Sequence, residues 1–199
     1  MRQVIPLGTV TMTYPGPVRE QPLAIELHNT LYAADGEPLD GLADERGLRA
    51  WLGAVRGRLP AEARGADPRR LADVRRLRDA VREVLHAATE QRPPRPSAVR
   101  AVNDASRRCP SSPQLGAARG GGMRAAIDHH GADATDIALG AFAVDAIDLV
   151  TGARRGDLGR CGAPGCVLMF LRDHPRRAWC SSACGNRARQ ARHYRRTHP

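Results

Sequence analysis

Apolar residues recur at helical spacing through most of the first 150 positions of the chain. Leu23, Leu27 and Leu31 form one stripe, which predicts a short helix that stops at residues 35–36. A second helix is predicted to stop at Pro60, because proline cannot continue the backbone hydrogen bonding. The core-facing residues of this second helix are Leu48, Trp51, Leu52, Val55 and Leu59.

The clearest helical pattern starts after Asp67. Asp67 is a natural N-cap, and Pro68 occupies the first helical position, where the missing N–H would have no partner anyway. The prolines at positions 93 and 94 end the helix. The residues that repeat on its apolar face are Leu71, Val74, Leu77, Val81, Val84, Leu85 and Ala88.

The region that follows predicts shorter elements and then one long helix. A short helix is expected from Ser97, residues 111–122 are expected to form a loop, and the alternation over residues 123–130 predicts a strand. Residues 134–151 are apolar nearly all round, as in the central helix of a small bundle, and Gly152 is expected to cap them. The pattern therefore predicts a mainly α fold, with a helical N-terminal domain that contains one short β-hairpin.

Four of the five cysteines lie in the last 39 residues, in two close pairs. The pairs are Cys161-x4-Cys166 and Cys180-x3-Cys184, and thirteen residues separate them. Two thiolate pairs at short spacing supply the tetrahedral set of soft ligands that Zn²⁺ prefers. Because four thiolates fill the coordination sphere, we expect one structural zinc ion with no open position for catalysis.

Other uses of the same residues stay open at this stage. Two disulfides would satisfy the four thiols in an oxidising compartment, and a cubane iron–sulfur cluster takes the same ligands. His174 or His193 could also replace one of the cysteines as a ligand. The short spacings and the apolar residues between the pairs favour zinc. The fifth cysteine, Cys109, is expected to be a partly buried thiol with no histidine-containing motif beside it.

The segment between the cysteine pairs predicts a β-hairpin. Residues 167–171 alternate as a strand does, residues 172–175 are expected to turn, and residues 176–179 are expected to return as the second strand. If Ser181 or Ser182 caps a final helix, both sulfurs of the second pair can reach the ion from its first turn. A knuckle, a hairpin and a helix in this order have the outline of a small treble-clef-like zinc finger.

The final helix is predicted to have two different faces. One face is cationic, and the other can pack on the finger through Trp179 and Phe170. The cationic sector contains Arg189, Arg192, His193 and Arg196, and the opposite side contains Ala188, Ala191 and Tyr194. Arginines on a rigid helix suit contacts with phosphates and with guanine edges in nucleic acid. The alternative is a basic helix that is merely solvated.

Charge is distributed unevenly along the chain. The 199 residues include 31 arginines, no lysine and 21 acidic residues, which gives a formal net charge of +10. Residues 1–153 carry 20 arginines against 19 acidic residues, whereas residues 154–199 carry 11 against two. A near-neutral body with a strongly basic tail indicates a polyanionic partner for the tail, either nucleic acid or an anionic membrane surface.

Composition also argues against several classes of protein. No apolar run approaches the ~18 residues of a membrane span, and no continuous apolar stretch of ~7–15 residues marks a secretory signal, so we expect a cytoplasmic protein without a membrane partner. An enzyme is disfavoured, because the metal set is coordinatively closed and no nucleophile and base stand together in the sequence.

Two stretches of the sequence resemble a known family. The tetrapeptide Cys184-Gly185-Asn186-Arg187, with Trp179-Cys180-Ser181 before it and an Arg/Ala-rich helix after it, resembles the CGNR zinc finger. The remainder resembles its companion, the ABATE domain, whose start is similar to residues 23–30 (LAIELHNT) and whose end is similar to residues 146–151 (AIDLVT). We therefore divide the chain into an ABATE-like helical domain at residues 1–153 and a four-cysteine zinc finger at residues 154–199.

The resemblance implies a bacterial transcription regulator of stress responses, with a sensing domain and a DNA-binding finger. Asn186 would cap or position the start of the final helix. The expected contacts with DNA are Arg187, Arg189, Arg192, Arg195 and Arg196. Asn29 and Thr30 are candidates for lining the pocket of a small-molecule effector, and the alternative is that their side chains only bond nearby backbone. The second candidate function is a zinc-stabilised module that binds RNA or an acidic protein. The sequence defines neither the DNA target nor an oligomeric state.

Overall fold

The computed structural model describes residues 13–34 and 36–197 of the chain. The helices of this part are α1 (Leu23–His28), α2 (Glu45–Val55), α3 (Leu71–Thr89), α4 (Pro96–Arg108), α5 (Ala134–Thr151) and α6 (Ser182–Thr197). The strands are β1 (Leu31–Ala34), β2 (Glu37–Asp40), β3 (Ser112–Ala117), β4 (Met123–Asp128), β5 (Leu158–Arg160) and β6 (Met169–Leu171). The strands form three separate antiparallel pairs, β1 with β2, β3 with β4 and β5 with β6. The predicted mainly α fold with small hairpins is therefore confirmed.

Helix α5 is the centre of the helical body, as its apolar composition predicts. It packs against α1, α3 and α4, and its ends agree with the predicted residues 134–151. Asp133 caps its first turn by accepting hydrogen bonds from the backbone N–H groups of Thr135 and Asp136, both at 2.8 Å. Trp51 of α2 packs on Phe142 of α5 with ring centroids 5.3 Å apart.

Helix α1 is shorter than predicted, which corrects the first part of the sequence interpretation. It ends at His28, and Leu31 already belongs to strand β1, opposite Asp40 of β2. The Thr30 carbonyl accepts a hydrogen bond from the N–H of Gly41 at 2.7 Å, so the chain leaves the helix to begin the hairpin. The leucine spacing could not reveal this pairing. Asp35, where the helix was predicted to stop, lies outside the described residues.

The stretch around the second and third helices also differs in detail. Helix α2 ends at Val55 and short 3-10 turns follow it, whereas the pattern predicts one helix up to Pro60. Asp67 caps a 3-10 turn at residues 68–70 by accepting from the N–H of Arg69, and α3 continues from that turn. The predicted cap and apolar face are thus confirmed, but the α-helix itself begins at Leu71 and not at Pro68.

Residues 112–117 form a strand although the sequence predicts a loop there. Strand β3 pairs with β4 along all six of its residues, and β4 confirms the strand predicted from the alternation after residue 122. Pro113 and Gly116 hide the alternation of β3, because both residues are typical of loops. The glycines of the connecting turn have φ between +90° and +98°, a conformation that side chains rarely permit.

The third hairpin belongs to two hydrophobic cores at once. Leu158, Met169 and Leu171 lie on one face of the β5–β6 pair and join the core of the helical body. Leu168 and Phe170 point to the other side and join a second cluster around the cysteines. Because side chains alternate along a strand, one short hairpin connects the body to the finger.

Asn29 holds this hairpin from the side of the body. Its amide nitrogen donates to the carbonyl oxygen of Met169 at 3.0 Å, and its amide oxygen accepts from the N–H of Met169 at 2.9 Å. The oxygen of the Gln21 side chain likewise accepts from the N–H of Leu171 at 2.7 Å. These side chains satisfy the outer edge of β6, which would otherwise leave buried backbone groups without partners.

We expect Asn29→Leu to lower the free energy of unfolding by about 2–4 kcal/mol, because the buried N–H and C=O of Met169 lose their partners. Urea unfolding followed by circular dichroism measures the change. Asn103→Leu is the control, since Asn103 is a half-buried amide on α4 whose side chain makes no hydrogen bond within the described residues. Equal stability of the two variants would contradict the role of Asn29.

Candidate metal centre and basic helix

The four cysteines come from two turns that face each other. Cys161 and Cys166 flank a knuckle that connects β5 to β6, and the N–H of Cys161 donates to the carbonyl of Leu168 at 2.9 Å. Cys180 precedes α6, and Cys184 lies in its first turn. The Ser181 hydroxyl accepts from the N–H of Cys184 at 3.2 Å and so caps the helix, as predicted.

The cysteine sulfurs are close enough to share one ion. All four lie within 4.8 Å of one another, with 3.8 Å between Cys166 and Cys180 and 3.6 Å between Cys180 and Cys184. Sulfurs placed tetrahedrally around Zn²⁺, with bonds of about 2.3 Å, lie about 3.8 Å apart. Cys161, Cys166, Cys180 and Cys184 therefore form one structural zinc site, and their sulfurs are the donors that zinc prefers.

The close packing of the thiols changes their protonation. The pKa of Cys166 is lowered to about 5, chiefly because the Cys180 thiol donates a hydrogen bond to its thiolate. The pKa of Cys180 is raised, because that hydrogen bond and burial both favour its neutral form. The thiols must lose these protons to bind a metal as thiolates, so zinc binding at this site releases protons.

The predicted pairing inside the finger is wrong. The sequence predicts that residues 167–171 pair with residues 176–179, but β6 pairs with β5, which precedes the first cysteine. Residues 176–179 have no strand structure, and a single backbone bond connects the N–H of Gly162 to the carbonyl of Ala178 at 3.0 Å. The helical body stabilises the pairing of β5 with β6, because the apolar face that these two strands form together packs into its core.

The residues of the Cys-Gly-Asn-Arg motif have separate structural roles. Cys184 is a ligand, and Gly185 leaves room for Trp179, whose ring would lie 3.2 Å from a Cβ at this position. The guanidinium of Arg187 donates to the sulfur of Cys184 at 3.4 Å, so its charge offsets that of the thiolates. Asn186 lies in the second turn and its side chain accepts from Arg189, so Ser181 and not Asn186 is the cap.

The buried residues of helix α6 lie in its first two turns. Cys184, Gly185 and Ala188 are buried, whereas every residue from position 192 to 197 is exposed. Tyr194, on the face that was predicted to pack on the finger, is 63% exposed. No acidic side chain of the described residues lies within ion-pair distance of Arg192, Arg195 or Arg196, and the helix itself contains none.

Asn29 and Thr30 are fully buried at the joint between body and finger. Thr30 bonds the carbonyl of Leu27 at 2.8 Å, which is the alternative interpretation of this residue. His28 Nδ1 lies 3.0 Å from the Asn29 oxygen and Nε2 lies 2.9 Å from Nε2 of His86. Since the Asn29 oxygen can only accept, Nδ1 of His28 carries the proton and His86 donates to Nε2. Burial, with the Arg82 cation, lowers the pKa of His28 well below its ordinary value.

A cleft of about 690 Å³ opens at the same joint, between the end of α3 and strand β5. Arg155, Arg160 and Arg172 line it, and Glu90 of α3 pairs with Arg160 at 2.9 Å. A Cβ at Gly159 would lie 3.1 Å from Nε of Arg172, so the glycine lets this guanidinium lie across the strand.

The structure also brings Cys109 next to a histidine, a contact that the sequence does not indicate. The sulfur of Cys109 lies 3.3 Å from Nδ1 of His129, although the two residues are 20 positions apart. Burial raises the pKa of this thiol, so the contact holds a neutral side chain at the base of the β3–β4 hairpin. The pairing of β3 with β4 brings the end of β4 next to the end of α4, and the sequence contained no signal of it because residues 112–117 were predicted to be a loop.

Comparisons with known proteins agree with this architecture. Residues 21–153 match the ABATE family, described as "Putative stress-induced transcription regulator", and residues 158–197 match the CGNR zinc finger. The first match covers well over half of the chain, so the protein belongs to the ABATE family and carries a CGNR zinc finger at its C-terminal end. None of the curated proteins matches the chain. In the part of the chain that the structure describes, no helix has the length and apolar character needed to cross a membrane.

Purified protein is expected to contain one zinc ion per chain. Cys180→Ser removes a sulfur that lies 3.8 Å from that of Cys166 and 3.6 Å from that of Cys184. It should abolish stoichiometric zinc, because structural zinc supplies on the order of 10–16 kcal/mol to such fingers. Elemental analysis after dialysis measures the ratio. Cys109→Ser is the matched control and should keep its zinc, since Cys109 lies outside the cluster. Folded wild-type protein that purifies without zinc would contradict the site.

Proposed function

We propose that this protein is a DNA-binding transcription regulator in which zinc fixes helix α6 and the helix contacts DNA. The single observation that carries the proposal is the arginine surface at the end of α6. Arg192, Arg195 and Arg196 are exposed in the last two turns, where the helix extends beyond its buried residues. Arginine side chains without acidic neighbours are available to phosphates and to base edges.

The finger gives this surface the rigidity that recognition requires. The start of α6 is fixed by Cys184, by its Ser181 cap and by the packing of Gly185 against Trp179. The hairpin that carries the first two ligands is in turn part of the core of the body. A helix held in this way loses little conformational freedom when it binds a duplex.

The arginines of α6 divide into two groups. Arg187 contacts the sulfur of Cys184 and Arg189 contacts the side chain of Asn186, so both are partly engaged within the finger. Arg192, Arg195 and Arg196 are the better candidates for direct contacts.

Enzymatic activity is not part of the proposal, because four thiolates leave a tetrahedral zinc ion no position for water or substrate.

DNA binding should weaken with salt, with a slope of log K against log salt near roughly −4 if four or five phosphates are neutralised. Arg195→Gln should reduce the magnitude of that slope by about one and weaken binding to every sequence. Fluorescence anisotropy with labelled duplexes at several salt concentrations measures both. Arg107→Gln makes the same charge change on α4, where Asp104 pairs with Arg107, and should leave binding unchanged.

Binding that is insensitive to salt, or absent at physiological ionic strength, would contradict the DNA proposal. Structured RNA that displaces the duplex at equal concentration would instead favour the interaction module with an RNA partner. Selection of bound sequences from random duplexes then tests whether α6 reads bases, because contacts with phosphates alone enrich no sequence.

The effector of the regulator is proposed to be a small anion in the cleft between α3 and β5. Arg155, Arg160 and Arg172 line this cleft together with one acidic residue, Glu90, so the cleft has an excess of positive charge. Arg160 immediately precedes the ligand Cys161, and Arg172 immediately follows β6. An anion bound there would touch the body and the finger together and could alter how α6 is held.

Inorganic phosphate at ~10 mM should raise the melting temperature by about 3–6 °C over chloride of equal ionic strength, if its Kd is near 1 mM. Arg172→Gln should remove most of that rise. Differential scanning fluorimetry measures the shift, and Arg119→Gln, in the turn after β3, is the control of equal charge. The same rise in wild type and Arg172→Gln would place the anion elsewhere, without bearing on DNA binding.

A further inference from the structure

The β3–β4 hairpin presents an exposed face made only of apolar side chains. Residues directly opposite each other in an antiparallel pair point to the same side, and so do alternate residues of one strand. The register of the pair therefore collects six exposed residues on one face: Pro113, Leu115, Ala117, Met123, Ala125 and Ile127. Leu115 is 77% exposed, Met123 78% and Ile127 52%.

Other exposed apolar side chains of the described residues are scattered singly on different elements. Single apolar side chains are normal on a protein surface. The others come from five separate parts of the chain: Leu39, Val99, Val144, Val167 and Tyr194. The hairpin face is different because it is contiguous. Six side chains of this kind amount to roughly 500 Å², which reaches the size of the largest apolar patch on a typical monomer.

The hairpin itself has little support from the rest of the described chain. Its polar face carries Arg124 and Asp128, and its base is held by contacts of Ser112 with His130 at 2.9 Å and of Cys109 with His129 at 3.3 Å. A two-stranded hairpin alone is marginally stable in water and normally needs further strands or packing on a hydrophobic face. The open face therefore lacks the packing that usually stabilises such a pair.

We propose that this face is a two-fold interface between two copies of the chain. Two faces of roughly 500 Å² would bury about 1,000 Å² in total, which is the lower limit for a specific interface. Complete burial of both faces would therefore just reach the required area. An interface at this limit is expected to be reversible, so the dimer should form at micromolar concentrations and dissociate on dilution.

The shape of the face suits an identical partner. Across the strands, Leu115 lies opposite Ala125 and Met123 lies opposite Ala117, so each large side chain stands beside a small one. When two copies are related by a two-fold axis, large residues of one face can fill the hollows over the alanines of the other. The same surface then provides both knob and hollow.

Charge favours the same partner. The six residues carry no charge, so identical faces meet without repulsion. The hairpin also lies in residues 1–153, where 20 arginines are balanced by 19 acidic residues, whereas residues 154–199 have 11 arginines against two. Contact through the near-neutral part of the chain does not require the two basic tails to meet. The proposal does not depend on DNA binding, but a two-fold dimer would present two α6 helices, as half-site recognition requires.

Sedimentation velocity of the full chain from about 1 to 100 µM tests the interface. The wild-type mass should rise from 21.5 kDa to about 43 kDa, which is twice the mass of one chain. Leu115→Glu should stay at 21.5 kDa over the same range. Gln114→Glu introduces the same charge on the opposite face of β3 and should dimerise as the wild type does.

Circular dichroism melting shows whether each variant is folded, and Met123→Gln repeats the test without adding a charge. Wild-type protein that remains a monomer at all these concentrations would overturn the proposal, whichever other molecule covers the face. Dimers of Leu115→Glu and Met123→Gln as stable as those of wild type would also overturn it, because the contact would then lie elsewhere.

Discussion

Strand β6 is only three residues long, and its alternating side chains enter two hydrophobic cores. Met169 and Leu171 complete the body, and Phe170 packs beside the cysteines. Asn29 and Gln21 satisfy the edge of the strand that faces the body, so both its side chains and its backbone are committed. The position of the knuckle, and through it that of the metal site and α6, depends on this strand staying in register.

The arginines of the protein serve two purposes according to whether an acid lies beside them. In the body, Arg70 bridges Asp73, Asp133 and Asp136, and the nearly buried Arg78 pairs with Asp40. These arginines stabilise tertiary structure and leave little charge for a partner. In α6 the same residue type has no acidic neighbour along the helix, so its charge faces solvent. Net charge is therefore informative only after each cation has been assigned to its neighbours.

Sequence patterns predicted those features that follow from local spacing. The apolar composition of residues 134–151 predicted the central helix, and the spacing of the four cysteines predicted the metal site. The cap of α6 was predicted at Ser181 or Ser182, and the structure has it at Ser181. The patterns failed where distant partners decide the outcome. The sequence predicted that β6 pairs with residues 176–179, because these follow it closely along the chain. In the structure β6 pairs with β5, since the body buries Leu158 of β5 together with Met169 of β6. Likewise, nothing near Asn29 in the sequence indicates a backbone partner 140 positions away.

The shared hairpin also has a consequence for how the protein is made. Synthesis proceeds from the N-terminus, and N-terminal domains usually fold first as they emerge. Here the helical body lacks Leu158, Met169 and Leu171 until late in translation, since these core residues lie beyond its own helices. The nascent body therefore exposes the apolar sites that these three residues later fill, together with the unpaired amide of Asn29. The helical body therefore completes its core only after the finger has been synthesised. Because zinc binding folds the finger, the supply of zinc affects the folding of the body as well.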